Sequence, residues 1–311
     1  MAKYKKQSAA SHAGFHFLNL YQCCPRKFYL KFIAGIEDKY MARPLIYGAA
    51  FHEAKARWYL TGDKDKAINT GVDYIAGLEN KFANEADYTE SMMRIVPLIK
   101  NWINVYGIDD LRNYKVFAVE TELMLSIDGY EYTGRPDTIL QKNKTGEYYC
   151  METKTSGFSK DLTYNAVLLG DQATSYYMLI EQAYGIKLTG LIVDIAFQAK
   201  YANATPDCSR GPPITRTSND VENFKRSVVQ LAADISSRAS AVINDKINPF
   251  QVFPRNGYYC NSYNKSCEFA DICRLNIDSK TKLPSNFKRN KNINLDIKKD
   301  LFKPVADIIA T

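Results

Sequence analysis

Two carboxylates and an amine in the middle of the chain have the types and spacing of a metal-dependent hydrolytic site. Glu152 and Lys154 stand two residues apart on a predicted strand, so their side chains point to the same face. If residues 143–146 form a four-residue turn, the hairpin register places Asp137 opposite Glu152, on that face as well. A five-residue loop would instead place Asp137 opposite Met151, on the wrong face.

These groups would suit the hydrolysis of a phosphodiester. Carboxylates a few ångströms apart repel each other unless a cation lies between them. Mg²⁺ and Mn²⁺ bind oxygen ligands, and either ion can polarise a phosphate and generate hydroxide for attack. An ammonium group beside them would steady the nucleophile or the phosphate oxygens.

The surrounding residues resemble the PD-(D/E)XK nuclease superfamily in its RecB-like form. The family pattern is Gly-x-x-Asp, then a strand with Glu-x-Lys, then a helix with Gln-x-x-x-Tyr. The chain has Gly134-Arg135-Pro136-Asp137, Glu152-Thr153-Lys154 and Gln172-Ala173-Thr174-Ser175-Tyr176 in that order. The resemblance spans roughly Cys24 to Cys273. It implies an α/β fold with a restriction-endonuclease-like core, a mixed sheet flanked by helices.

The resemblance also implies a role for each residue of the central motif. Asp137 and Glu152 would coordinate the metal through their side chains, and Thr153 through its backbone carbonyl. Lys154 would be the catalytic lysine.

Further residues would complete the same site. The family motif Gly-x-x-x-His ends at His52, which would be the third protein ligand of the metal; a core or capped histidine is the alternative. Gln172 and Tyr176 lie one turn apart on a predicted helix and would face the site or the DNA backbone. Glu120 and Glu122 share one face of an earlier predicted strand. One of them could reach the site, and a solvated strand face is the alternative.

A second group of residues with possible chemistry is formed by cysteines. The chain has seven, an odd number without a predicted signal peptide, which favours reduced thiols over a disulfide framework. Cys260, Cys267 and Cys273 are spaced too loosely for a standard zinc finger and supply only three ligands. Cys24, in Cys24-Pro25-Arg26-Lys27-Phe28, is the candidate for the fourth.

The segment around Cys24 resembles the N-terminal cysteine motif of RecB-like nucleases that carry an iron–sulfur cluster. These include CRISPR-associated exonucleases, helicase–nuclease subunits and phage-encoded relatives. The resemblance implies a [4Fe–4S] cluster on the four thiolates, which would staple the N- and C-terminal parts of the chain together. A zinc site with the same ligands and scattered reduced cysteines are the alternatives. Cys23 is interpreted as a bystander, and Cys150 and Cys208 as structural.

Hydrophobic periodicity and turn residues predict the elements that carry these groups. Helices are expected over 8–33, with a break at Pro25, and over 47–60, 65–106, 165–184 and 220–245. Strands are expected over 114–126, 130–141, 147–154 and 189–199, with Asp128-Gly129 as a hairpin turn and 202–219 as a loop. The first three strands would form a meander.

This order predicts four segments: an N-terminal helical part (1–46), a nuclease core (47–245) with a helical insertion at about 63–112, a cysteine-rich part (246–280) and a basic tail (281–311). The 311 residues contain no run of 18 apolar residues, which predicts no membrane span. The basic N-terminus lacks the apolar segment of a signal peptide, which predicts a cytoplasmic location. The family resemblance implies a bacterium or a phage-infected cell.

The charge is consistent with a DNA partner. The net charge of +7 suits a polyanion. Basic and aromatic residues alternate in the N-terminal helices and could bind phosphates and stack on bases, although a solvated helix surface over an aromatic core gives the same pattern. They include Arg26, Lys27, Lys31, Arg43, Lys55, Arg57, Tyr29, Phe32, Trp58 and Tyr59.

Together, the motifs and the family resemblance predict a metal-dependent deoxyribonuclease, an exonuclease on DNA ends or single strands. The resemblance implies phage recombination, DNA repair or CRISPR adaptation as its setting. Because the chain lacks a P-loop, unwinding would need a partner such as a helicase, and a recombinase or a CRISPR adaptation protein could be a partner as well. The alternative is a non-catalytic iron–sulfur protein that binds DNA or assembles with it.

Overall fold

The computed structural model of the chain describes residues 13–197, 206–262, 265–275 and 282–290. Two compact units are present. The first contains residues 40–123 and 134–221, and the second contains the described residues of 9–39, 124–133 and 222–311. No helix in the described part of the chain is long and apolar enough to cross a membrane.

The described chain alternates helical and extended segments. Its helices are α1 (Phe15–Cys23), α2 (Pro25–Phe28), α3 (Arg43–Thr61), α4 (Lys64–Ala76), α5 (Glu85–Trp102), α6 (Ile108–Asn113), α7 (Lys160–Leu168), α8 (Asp171–Tyr184), α9 (Ser218–Ile243), α10 (Pro249–Val252) and α11 (Ala270–Arg274). Its strands are β1 (Ile36–Asp38), β2 (Tyr114–Val119), β3 (Leu123–Ile127), β4 (Tyr130–Gly134), β5 (Thr138–Lys142), β6 (Tyr148–Ser156), β7 (Leu188–Phe197), β8 (Asp207–Arg210), β9 (Asn261–Ser262), β10 (Lys265–Ser266) and β11 (Phe287–Arg289).

A five-stranded mixed sheet forms the centre of the first unit, in the order β2-β5-β6-β7-β8. Strands β6 and β7 are parallel, and the other neighbours are antiparallel. The predicted mixed sheet flanked by helices is therefore confirmed. In the β5–β6 hairpin Thr138 pairs with Met151, which confirms the register that places Asp137 opposite Glu152.

Helices α3, α4 and α5 build the apolar core of this unit. Fully buried side chains such as Phe51, Ile95 and Trp102 pack together with Met151 of β6. The ends of these helices are set locally: Gly62 closes α3 in the left-handed region (φ 64°), and the Asp63 side chain accepts hydrogen bonds at the start of α4. Helices α4 and α5 lie within the segment 65–106, for which the sequence predicted helices.

The three predicted strands pair in the antiparallel order of the predicted meander, but two of them are interrupted. The strand expected over 114–126 breaks at Glu120, whose φ is 45°, and becomes β2 and β3. The strand expected over 130–141 breaks before Pro136-Asp137, since proline has no N–H for a ladder, and becomes β4 and β5. The predicted turn at Asp128-Gly129 does join β3 to β4, with positive φ at both residues, in a separate two-stranded sheet.

Two smaller differences remain, and the helix break predicted at Pro25 is confirmed. The helix expected over 165–184 is divided into α7 and α8 at Gly170. The segment 202–219 contains strand β8, which pairs with β7; residues 202–205, like the end of the strand expected over 189–199, lie outside the described residues. The first helix is described from Phe15 and ends at Cys23, ahead of Pro25.

The second unit is held by aromatic packing and by pairing of distant segments. Phe17, Phe28 and Phe253 are buried together, and Tyr21 donates a hydrogen bond to Asp234 of α9. Strand β1 pairs with β11 in antiparallel fashion. Within the predicted basic tail (281–311), the structure describes residues 282–290.

Candidate active site

The site lies in the first unit where α3, the loop before β5, strand β6 and helix α8 meet. Helix α3 can approach β6 closely because Gly48 has no side chain: a Cβ there would lie 2.9 Å from Oγ1 of Thr155. Helix α8 can approach the end of β4 for the same reason, because a Cβ on Gly134 would lie 2.4 Å from Cδ1 of Leu179. The glycines of both sequence motifs therefore lie where a helix packs closely against its neighbour.

Asp137 is fixed by the backbone of the catalytic strand. The main-chain N–H of Thr153 donates a hydrogen bond of 2.7 Å to Oδ2 of Asp137. The carbonyl oxygen of Asp137 accepts a bond of 2.8 Å from the N–H of Glu120. The Asp137 residue is 9% exposed. Its carboxylate therefore has a defined position beside β6.

His52 of α3 reaches the same carboxylate. Its Nδ1 lies 3.3 Å from Oδ2 of Asp137 and 3.7 Å from Oε1 of Glu120. Glu120 also pairs with Arg135, whose Nε lies 3.1 Å from Oε2. Glu120 therefore belongs to the site, and Glu122 is exposed. The sequence offered both glutamates equally; the break in the strand at Glu120 is what turns its side chain inward.

Glu152, Lys154, Gln172 and Tyr176 form a hydrogen-bonded chain. The Lys154 ammonium donates to Oε1 of Glu152 and, over 2.9 Å, to Oε1 of Gln172. The Gln172 amide donates to the Tyr176 hydroxyl over 3.2 Å, and that hydroxyl donates to the carbonyl of Arg135 over 3.3 Å. The structure thus brings together the side chains that the sequence placed on β6 and on the following helix.

The charges of the site perturb one another strongly. Burial alone would lower the pKa of His52, but Asp137 and Glu120 outweigh it and raise the pKa to about 10. Burial would raise the pKa of Asp137, but His52 and Lys154 lower it to about 2. For Glu152, burial prevails over Lys154 and raises the pKa to about 7. Without a bound cation, Asp137 is therefore ionised and His52 carries a proton.

The donor set fits a divalent cation. Ligand atoms of His52, Glu120 and Asp137 all lie within 4.8 Å of one another, the one such group of three or more among the described residues. Glu152 is 1% exposed, and its buried Oε2 has no hydrogen-bond partner. A buried carboxylate oxygen without a partner is unfavourable, and a cation would satisfy it. The backbone carbonyl of Thr153 is a further ligand that the family resemblance implies, and the N–H of the same residue donates to Asp137.

Four cysteines line a second feature, a cavity of about 220 Å³ in the second unit. They are Cys24, Cys260, Cys267 and Cys273, the four that the sequence grouped, and all are free thiols. No three of these thiols belong to a ligand group as tight as 4.8 Å.

Two residues that the sequence offered as phosphate contacts are buried instead. Arg26 is 6% exposed and donates to the carbonyls of Phe250 and Phe253, while Lys55 is 3% exposed. Tyr29, Phe32, Trp58 and Tyr59 are buried as well, so this part of the pattern is aromatic core.

A sequence-family model agrees with the motif assignment. Residues 16–274 match the sequence model of the PD-(D/E)XK nuclease superfamily. The chain is similar to a solved protein named "Putative exonuclease" from Eubacterium rectale, with 13% identity, a TM-score of 0.46 and coverage of 90% of this chain and 97% of that one. It is also similar to the solved protein SSO0001, with 14% identity, a TM-score of 0.29 and coverage of 83% and 94%. No protein with a curated description matches the chain.

Proposed function

Since this chain belongs to the PD-(D/E)XK nuclease superfamily, we propose that it hydrolyses phosphodiester bonds of DNA with the help of a divalent metal ion. The observation that carries the proposal is the buried Glu152 oxygen without a hydrogen-bond partner, on the strand beside the group of His52, Glu120 and Asp137. The formal net charge of the chain, +7 at pH 7, suits a polyanionic substrate.

Four residues of this chain would supply the protein ligands of Mg²⁺ or Mn²⁺, and water would fill the other positions. Asp137 and Glu152 would hold the ion by their carboxylates, His52 by its imidazole and Thr153 by its carbonyl. A divalent cation in this position supplies Lewis acidity: it polarises a phosphate and lowers the pKa of water. Glu120 keeps His52 in place through its contact with Nδ1.

The remaining side chains hold charge and orient one another. Lys154 places an ammonium next to the carboxylates, where it stabilises negative charge that develops on the phosphate oxygens. Gln172 fixes that ammonium through its side-chain carbonyl, and Tyr176 fixes the Gln172 amide. The sequence predicted catalytic roles for Lys154, Gln172 and Tyr176. In this proposal the Lys154 ammonium acts on the phosphate, and Gln172 and Tyr176 hold that ammonium in position.

By the family resemblance we further propose an exonuclease that acts on DNA ends or single strands, in phage recombination, DNA repair or CRISPR adaptation. A helicase or recombinase would be its partner where a duplex must be opened. The cysteine-lined cavity supports a [4Fe–4S] cluster on Cys24, Cys260, Cys267 and Cys273. When bound, the cluster would cross-link the start of α2 to the segment that ends in α11.

The proposal is tested with DNA that carries a label at one end. Anaerobically purified protein is incubated with single- and double-stranded substrates in Mg²⁺, Mn²⁺ or EDTA. We expect loss of label with either metal and none with EDTA. Binding of DNA without cleavage under every metal condition would contradict the proposal and favour the non-catalytic alternative.

A further inference from the structure

A buried lysine contacts the catalytic strand from the side of helix α3. The Lys55 ammonium donates 2.7 Å hydrogen bonds to Oγ1 of Thr153 and to Oδ2 of Asp194. Lys55 is 3% exposed and Asp194 is 1% exposed. A lysine is almost never buried so fully unless its charge is paired and its donors are used.

The lysine belongs to a network with balanced charge. Asp194 also accepts from Nε1 of Trp102 over 2.7 Å and from Arg210 over 3.1 Å. Arg210 in turn makes two bonds of 2.7 and 2.6 Å to Asp110. Two cations thus face two carboxylates, so the charges of the network balance. Oδ1 of Asp194 and Nε of Arg210 are buried there without a hydrogen-bond partner. Burial would raise the pKa of Asp194, but Lys55 and Arg210 outweigh it and hold the pKa below its usual range.

The network meets the proposed metal site at one residue, Thr153. Its N–H donates to Asp137 over 2.7 Å, and its hydroxyl accepts from Lys55 over 2.7 Å. The residues on either side of it are Glu152 and Lys154. The peptide of the catalytic strand is therefore held at its amide by a proposed metal ligand and at its side chain by a buried cation.

Helix α3 connects the two contacts. His52 and Lys55 are three residues apart, so they project from neighbouring turns of the same helix. His52 contacts Asp137, and Lys55 contacts the residue that donates to Asp137. A shift of α3 would move both His52 and Lys55. The loss of the Lys55 side chain alone would remove the hydrogen bond to Thr153 and leave the contact of His52 with Asp137.

We propose that Lys55 is a positioning residue of the metal site, which fixes the Thr153 peptide and through it the ligand oxygens of Asp137 and Glu152. The inference rests on the proposed metal-dependent nuclease function. Partners that orient the ligands of a metal commonly matter for affinity nearly as much as the ligands themselves. The competing explanation is that Lys55 contributes to folding alone.

The test uses the full-length protein and Mn²⁺ without DNA. Binding is measured by titration with detection of free Mn²⁺ by electron paramagnetic resonance, and Tm is measured in parallel. Thr153→Val removes the hydroxyl and keeps the carbonyl, and should weaken Mn²⁺ binding about tenfold. Its Tm should also fall, because the buried Lys55 ammonium loses one of its acceptors. Thr153→Ser, which keeps the hydroxyl, should restore the affinity. Lys55→Met should weaken binding to a similar extent.

Arg210→Met is the matched control, because Arg210 belongs to the same network and does not contact Thr153. It should lower Tm and leave the affinity for Mn²⁺ unchanged. Normal affinity in Thr153→Val and Lys55→Met, or an equal loss in Arg210→Met, would overturn the positioning role alone. Failure of the wild-type protein to bind Mn²⁺ would overturn the proposed function together with this inference.

Discussion

The main-chain N–H of Thr153 donates a 2.7 Å hydrogen bond to Oδ2 of Asp137. This bond joins the loop before β5 to the middle of β6, two segments that meet because Thr138 pairs with Met151. It leaves the Glu152 and Lys154 side chains on the face of β6 toward α8, where Lys154 contacts Gln172. The acidic centre of the site thus depends on one hairpin register.

Lys154 provides the first prediction, which separates catalysis from binding. Lys154→Met should lower the single-turnover cleavage rate by about two orders of magnitude or more, since one stabiliser of developing charge is lost. Affinity for Mn²⁺ should not fall, because a positive charge next to the proposed cation has been removed. Lys144→Met, an exposed lysine in the turn before β6, is the control and should cleave at the wild-type rate. A Lys154→Met protein that needs more Mn²⁺ but reaches the wild-type rate would contradict the role.

The glycine at the end of β4 provides a prediction about stability. Gly134→Ala would place a Cβ 2.4 Å from Cδ1 of Leu179, which is fully buried, so we expect a loss of about 1–3 kcal/mol in the free energy of unfolding. Gly157→Ala is the control, because a Cβ there meets nothing within 4 Å. Denaturant unfolding measures both. Adding Leu179→Val should recover part of the loss, and a fully additive double variant would show that the clash is not the cause.

The register of the β5–β6 hairpin and the positions of most helices followed from the sequence. Turn residues at 143–146 and side-chain alternation were sufficient to place Asp137 opposite Glu152, and helical periodicity was sufficient to predict helices within 65–106. These signals are local. The same is true of the helix that carries Gln172 and Tyr176, although its start required knowledge of the break at Gly170.

Other features depend on long-range contacts that a local pattern does not contain. Glu120 joins the site because the backbone there adopts a positive φ and leaves the strand. Lys55 stands among basic residues of an amphipathic helix and looks like a surface lysine, yet its partners come from β6 and β7. The residues that neighbour Glu120 and Lys55 in the sequence do not indicate these contacts.

The buried network predicts a dependence of stability on pH. The pKa of Asp194 is lowered in the folded protein, chiefly because Lys55 and Arg210 outweigh its burial. A carboxylate of this kind stabilises the fold above its unfolded pKa of about 3.9, and that contribution is lost as the pH falls through the lower folded value. Asp194→Asn should therefore lower Tm most near neutral pH. The difference from wild type should shrink below about pH 4, and a constant difference would contradict the pairing.

The cysteine-lined cavity predicts a bound cluster. Anaerobically purified protein should absorb broadly at about 400 nm and contain iron and sulfide. Serine at Cys24 or Cys267 should remove both signals. Cys23→Ser is a matched control, because Cys23 is adjacent in sequence but does not line the cavity, and it should keep the iron. One zinc per chain without iron would support the zinc alternative.

The proposed metal chemistry is tested most directly by replacing the two carboxylates without changing their shape. Asp137→Asn and Glu152→Gln keep the size of each side chain and remove its charge. Single-turnover cleavage of end-labelled DNA in Mn²⁺ is compared with titration of Mn²⁺ binding and with Tm. We expect both variants to lose cleavage and bind Mn²⁺ more weakly while they remain folded and still bind DNA, because each lacks a charged ligand. Cleavage at the wild-type rate by either folded variant would contradict the assignment.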